Sequence, residues 1–187
     1  GYGYQGSASR LDWRRAVGEL SYGATLKNEL IKPGPWEVGI SGFGECLPYH
    51  DNKISLNYDK PDKWGLPTVD FDVEYKENEK RMRKDIQQQA VAMMEAAGYD
   101  NVVGFDDLHE FAPGLGIHEM GGARMGRDPK TSVLNKFNQV HTVNNVYVTD
   151  GACMTSAGCQ NPSLTYMALT ARAANHAVNE FKSKNKV

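Results

Sequence analysis

The chain has 187 residues, 40% of them hydrophobic, and its charged side chains balance to a formal net charge of -2. Such a chain can build an apolar core, which excludes a fibrous or disordered class, and its near-neutral balance gives no electrostatic reason to bind nucleic acid or an acidic membrane. No stretch approaches the roughly 20 apolar residues of a membrane span, and the opening GYGYQGSASRLDW lacks the pattern of a secretion signal.

The first 35 residues are rich in glycine and read as turns, with a basic-aromatic patch at Trp13, Arg14 and Arg15. At most a short helix is expected near Tyr22 to Leu30, ended by Pro33 and Pro35. Alternation from Trp36 to Gly44, and again from Lys53 to Tyr58, predicts two strands linked by the turn formers of CLPYHDN. After the turn KPDKWGLP, Thr68 to Tyr75 alternates strictly, with Val69, Phe71, Val73 and Tyr75 on one face. Three such strands predict an antiparallel sheet with one packed and one wetter face. From Glu77 the period changes: Met82, Ile86, Ala90, Met93 and Ala97 mark an amphipathic helix over 77–97 that stops at Gly98 and needs a sheet face to cover. NVVGF, from Asn101 to Phe105, reads as a short strand or extended piece, and 106–122 as loop.

Composition shifts there, which sets a boundary near residue 108 between a first part, 1–108, and a second, 109–187. In the second part VYVTDG, from Val146 to Gly151, predicts a short apolar strand running into a turn. A long helix follows from about Ser163 to Phe181, with Pro162 at its first position and Asn161 as cap, or Ser163 as a rival cap. Its stripe of Leu164, Met167, Ala171, Ala174 and Val178, with small residues between, suits burial against a large partner. Lys182, Lys184 and Lys186 read as a solvated tail. The fold class expected is α+β: an antiparallel sheet with covering helices, then a strand and long helix.

The candidate chemistry clusters late in the chain. His118 lies in IHEMGGARMG, beside Gly121, Gly122 and Gly126, where missing side chains let a flat ligand approach the backbone. A histidine takes a proton near neutral pH, as oxidation of an alcohol requires; the bland alternative is a ring bonded to a loop carbonyl. Asn161 can donate to the same alcohol oxygen, or can simply start a helix. Asp150 and Gly151 sit at a strand end, a common ligand position in cofactor folds and equally an ordinary aspartate turn. Thr165, one turn into the helix, can face the same site or bond to its own backbone. Arg124 and Arg127 can meet an anion or pair with Asp128. His50 and His109 read as solvent-facing, and Glu45, Asp62 and Asp72 as structural or exposed. The three cysteines, Cys46, Cys153 and Cys159, lack zinc spacing and read as small buried residues. No metal site is expected. The chain carries neither a Ser-His-Asp order nor a phosphate loop.

Three stretches, HEMGGARMG (His118 to Gly126), SVLNKFNQVHTVNNVYVTDGACM (Ser132 to Met154) and NPSLTYMALTARAA (Asn161 to Ala174), together resemble the C-terminal part of the glucose-methanol-choline family of flavoprotein oxidoreductases. GECLPYHDNKISLNYDKPDKWGLP, from Gly44 to Pro67, is similar to that family's substrate-domain sheet. The likeness is greatest to its sugar or gluconate dehydrogenase-like and pyranose-oxidase-like branch. The resemblance implies FAD and oxidation of an alcohol on a sugar or polyol, with His118 as base and Asn161 as the second catalytic residue. It implies hydride passing to the flavin N5. Asp150, Gly151, Asn161, Pro162 and Thr165 would lie against the cofactor. It further implies that 1–108 is a substrate-binding domain and 109–187 an active-site loop plus flavin-domain segment. No strand-turn-helix carrying the family's G-x-G-x-x-G is expected in the chain, although GYGYQG at residues 1–6 has that spacing, and the chain reads HxxGG where many relatives have HxxGT. An N-terminal FAD-binding region and an electron acceptor are therefore the implied partners, and the chain alone is expected to be inactive. A non-catalytic binding module and one half of a split flavoenzyme are the alternatives.

Overall fold

The structure is a computed structural model that describes residues 1–11, 22–107 and 112–185. Trp13, Arg14, Arg15, His109 and Lys186 lie outside the described residues. The elements in order are β1 (Tyr2–Arg10), α1 (Gly23–Ile31), β2 (Trp36–Gly44), β3 (Lys53–Pro61), β4 (Pro67–Asp72), α2 (Glu77–Ala96), β5 (Gln139–Val140), β6 (Val143–Tyr147) and α3 (Ser163–Asn185). The class is α+β, with antiparallel sheets, covering helices and a long C-terminal helix, as expected.

Pairing corrects the expected sheet. β2 pairs with β1, in register from Tyr2↔Gly44 to Arg10↔Trp36, while β3 pairs with β4. The opening residues are thus a strand rather than turns. Its glycines look like breakers in isolation, yet Tyr2 and Tyr4 alternate with them and share one face. The β4 strand ends at Asp72 rather than Tyr75, and the stretch 101–105 joins no ladder.

That shared face of the β1–β2 ribbon carries α2. Ile86 and Met82 seat where β2 has no side chains: a Cβ at Gly44 would stand 2.6 Å from Met82 Cε, and one at Gly42 would overlap Ile86 Cγ2. The Tyr4 hydroxyl donates to the Ile86 carbonyl at 2.7 Å, and the Tyr2 hydroxyl to Asp85 at 2.5 Å. The latter bond, with burial next, pushes the Tyr2 phenol up to about 12. The helix ends in a Schellman motif, with Gly98 at φ 82°, its N–H on the Glu95 carbonyl and the Tyr99 N–H on the Met94 carbonyl. Its start is set by Glu79, which is only 2% exposed and accepts from Lys76 N–H, Leu47 N–H and Asn78. Burial alone would raise this carboxyl, but the hydrogen bonds hold it below its usual value.

In the C-terminal part, Leu134, Asn138, Cys153 and Ala173 form the buried centre. Asn138, at φ 64°, donates to the Val148 carbonyl at 3.0 Å and accepts from Arg172 of α3 at 3.1 Å. His176 of α3 stacks on Phe137, with centroids 4.0 Å apart. Hence α3 buries the side holding Ala173 and His176. The expected stripe faces outward, with Leu164 79%, Met167 68% and Val178 50% exposed. The helix also runs to Asn185, so Lys182 and Lys184 belong to its last turn rather than a tail. Lys184 pairs there with Glu180 at 3.1 Å. Of the cysteines only Cys153 is buried; Cys159 is half-buried and Cys46 exposed.

Candidate active site

Antiparallel partners project to the same side of a ribbon, and alternate residues to opposite sides. The face of β1–β2 away from α2 therefore carries Gly3, Gln5 and Ser7 against Phe43, Ser41 and Gly39. Gln5, Ser7, Gly39, Ser41 and Phe43, together with Gly6, line an open groove of about 310 Å³, and Gly3 follows Gln5 on the same face.

Two loops from the C-terminal part meet this face. The His118 ring lies 6.3 Å from the Phe43 ring, tilted at 56°. Across the ladder from Phe43, the Gln5 side-chain amide donates to the Cys159 carbonyl, and a Cβ at Gly3 would stand 2.5 Å from Cys159 Sγ. Asn161 follows two residues later. The register pair Gly3↔Phe43 thus brings the His118 loop and the Asn161 loop to one end of one face. Among the described residues, no hydrogen bond joins the His118 ring to the Asn161 amide, and neither group is spent on another partner.

The His118 loop is itself held firmly downstream. Glu119 accepts from Gly116 N–H at 2.9 Å, and Gly121 turns with φ 86°. Ala123 N–H then donates to the Ala152 carbonyl, and Met125 N–H to the Cys153 carbonyl, both at 2.9 Å. Met120 receives the Tyr166 hydroxyl of α3 at 3.4 Å. Burial, followed by the charge of Asp150, raises the Tyr166 phenol, which stays neutral. Ile117 is the strained point: a β-branched residue at φ 61° with its side chain 89% exposed, directly before the histidine.

Asp150 is the cap of its own turn, accepting from Ala152 N–H at 2.9 Å before a single 3₁₀ turn over Gly151–Cys153. That realises the aspartate-turn reading, and the carboxylate remains exposed. Gly151 admits no side chain, since a Cβ would meet the Tyr166 hydroxyl at 2.9 Å and Met120 sulfur at 3.0 Å. It joins the His118 loop to α3. The Pro162 carbonyl accepts the first helical bond, from Tyr166 N–H at 3.1 Å, so Pro162 itself holds the cap position. This corrects the expectation of Asn161 or Ser163 as cap: Asn161 lies one residue outside, exposed, with its amide uncommitted among the described residues. Thr165 is exposed on the first turn and His50 is exposed as expected. Asp128 spends its carboxylate on Lys130 N–H at 2.9 Å rather than on Arg124 or Arg127.

Gly3, Gln5, Phe43, Cys159 and Tyr166 are the site components that sequence reasoning missed. The alternation of Tyr2, Tyr4 and Gly6 was the one local signal that could have found the first two.

A family model described as GMC oxidoreductase matches residues 48–170. The chain is 35% identical over 139 residues to 2-methyl-1,2-propanediol dehydrogenase of Mycolicibacterium austroafricanum, covering 74% of this chain and 25% of that protein. It is 29% identical over 160 residues to the fructose dehydrogenase large subunit of Gluconobacter japonicus, covering 86% and 28%. It is 31% identical over 180 residues to paromamine 6'-oxidase of Streptomyces fradiae, covering 93% and 32%. The chain thus spans 25 to 32% of the length of these relatives. With matches that run across both the ribbon-to-helix half and the loops that meet upon it, the chain belongs to the GMC oxidoreductase family.

Proposed function

We propose that the chain is part of an FAD-dependent oxidoreductase that oxidises an alcohol group of a sugar or polyol. In this reading 1–108 serves as substrate-binding domain and 109–187 as active-site loop and flavin-domain segment. The observation that carries it is the meeting of the His118 loop and the Asn161 loop at the Gly3↔Phe43 end of one polar groove. Serines, a glutamine and glycines line that groove, which suits a hydroxyl-rich substrate; Phe43 offers an apolar wall. The names of the relatives, a propanediol dehydrogenase and a fructose dehydrogenase subunit among them, are consistent with such substrates.

The donor set also suits a flavin. The first-turn N–H groups of α3 have no partner within the helix and its dipole favours negative charge there. Asn161 adds an uncommitted amide and Thr165 an exposed hydroxyl, while the exposed carboxylate of Asp150 can accept from a ribityl hydroxyl. Asn161, Pro162, Thr165, Asp150 and Gly151 would hold the cofactor. The flavin, when bound, would supply the acceptor for the two electrons leaving the alcohol carbon. His118 takes the hydroxyl proton on a ring nitrogen that no described residue occupies. The Asn161 amide donates to the same oxygen and steadies it as the proton leaves. Phe43 limits the rotation of the His118 ring and keeps water from that side.

An N-terminal flavin-binding region is the partner this reading needs. A compact 20.7 kDa chain exposes about 8,900 Å², whereas this one exposes 14275 Å² and leaves Leu164, Met167 and Val178 of α3 exposed. The test is His118→Ala in the flavin-loaded protein. Flavin reduction by substrate should slow by about 10²- to 10⁴-fold, the usual worth of a positioned base, with flavin content unchanged. An unaltered rate would remove His118 from the reaction.

A further inference from the structure

We propose that Gly3 and Gln5 are positioning residues that key the Asn161 loop onto the β1–β2 ribbon, a role that rests on the reading of Asn161 as a site residue. Gly3 provides a notch for the Cys159 side chain, since a Cβ there would lie 2.5 Å from Sγ and 3.2 Å from the Cys159 Cβ. Gln5, on the same face two residues on, donates its side-chain amide to the Cys159 carbonyl. Between the Met154 N–H, which bonds to Gly151, and the Pro162 carbonyl, which receives Tyr166, the loop makes no other backbone hydrogen bond among the described residues. Ser156, Gly158, Gln160 and Asn161 are all exposed, and Cys159 is the half-buried point of attachment. Two extended residues reach about 7 Å, so Asn161 is fixed within that distance of the attachment.

The same ribbon fixes His118 from the other strand, through Phe43, the ladder partner of Gly3. One rigid pair of backbone positions therefore sets the separation of two loops that are 43 residues apart in the chain. An error of about 1 Å in such a separation can cost on the order of 10²-fold in rate. Neither Gly3 nor Gln5 needs to touch the reacting atoms for this.

The test uses the flavin-loaded protein with Cys46→Ser, because Cys46 is exposed and would compete for reagent. Gln5→Glu keeps the shape and removes the donor; Gly3→Ala fills the notch. Alkylation of Cys159 by N-ethylmaleimide, followed by peptide mass spectrometry, reads the attachment independently of activity. Both variants should label Cys159 roughly tenfold faster, the effect of losing one hydrogen bond on a local opening. The flavin-reduction rate at saturating substrate should fall at least as far in both, with little change in KM in Gly3→Ala, which leaves the groove lining intact. Unchanged labelling in both variants overturns the attachment. Faster labelling with an unchanged rate shows instead that the loop is attached but not catalytic, which overturns the positioning role by way of the functional reading.

Discussion

Replacing Gly42 by alanine sets the packing of α2 on the ribbon against itself. The new methyl would overlap Ile86 Cγ2, lie 3.4 Å from Ile86 Cβ and 3.2 Å from the Tyr4 ring. The obstacle is a β-branched side chain, stiff at χ1, so the helix must retreat by on the order of 1 Å to restore carbon contacts of about 3.5–4.0 Å. Overpacking of this kind costs about 1–3 kcal/mol. At about 2–4 °C per kcal/mol for a chain of this size, the midpoint of thermal unfolding should fall by roughly 2–12 °C. Two other glycines of the same strand grade the effect. At Gly44 the nearest atom is the end of Met82, 2.6 Å away, which can swing aside. At Gly39 nothing lies within 4 Å, and alanine there should be neutral or gain roughly 0.5–1 kcal/mol from its smaller unfolded-state entropy. Differential scanning calorimetry should therefore rank the losses Gly42→Ala, then Gly44→Ala, then Gly39→Ala. Ile86→Leu, which moves the branch off Cβ, should recover part of the Gly42→Ala loss in a double-mutant cycle. If Gly42→Ala unfolds no earlier than Gly39→Ala, the helix does not rest on the ribbon in the way described.

Glu79 gives a pH dependence with a definite sign. Its folded carboxyl is held below the usual value by its hydrogen bonds, so its contribution is full above the unfolded pKa of about 4.3 and disappears as pH falls through the lower folded value. Chemical denaturation at stepped pH should show Glu79→Gln losing less stability than the parent below about pH 4.3, while costing about 1–3 kcal/mol near neutrality; parallel curves would refute this. Ile117→Asn should stabilise by about 1 kcal/mol, because asparagine tolerates the left-handed backbone that a β-branched residue resists. The same substitution should leave flavin reduction nearly unchanged, since asparagine keeps the same backbone turn before His118; a calorimetric scan with stopped-flow reduction checks both.

The legible parts of the fold were those in which one segment carries its own signal. The α2 period survives as written because Met82 and Ile86 face the ribbon and Gly98 supplies the left-handed residue the Schellman end requires. The strand alternation of β2 and β3 survives for the same reason. Pairing did not, since alternation says which face a residue takes and nothing about which strand lies beside it. The apolar stripe of α3 at Leu164, Met167 and Val178 faces outward, while the small Ala173 is the residue that joins Leu134 and Cys153 in the buried centre.

The candidate site divides along the same line. His118, Asp150, Gly151 and Asn161 stand out as candidates because turn chemistry is written locally, and Asp150 does cap its own turn. What carries the His118 and Cys159 loops onto one face is a ladder between β1 and β2, and that register depends on Tyr2 and Tyr4 needing the α2 side of the ribbon. Once those two tyrosines are bonded to Asp85 and Ile86, strand alternation sends Gly3 and Gln5 the opposite way, where Cys159 is received. A one-residue slip of β1 would turn Gly3 and Gln5 toward α2 and present tyrosine rings to the loops. The hydrophobic fit of one face thus decides the chemistry available on the other.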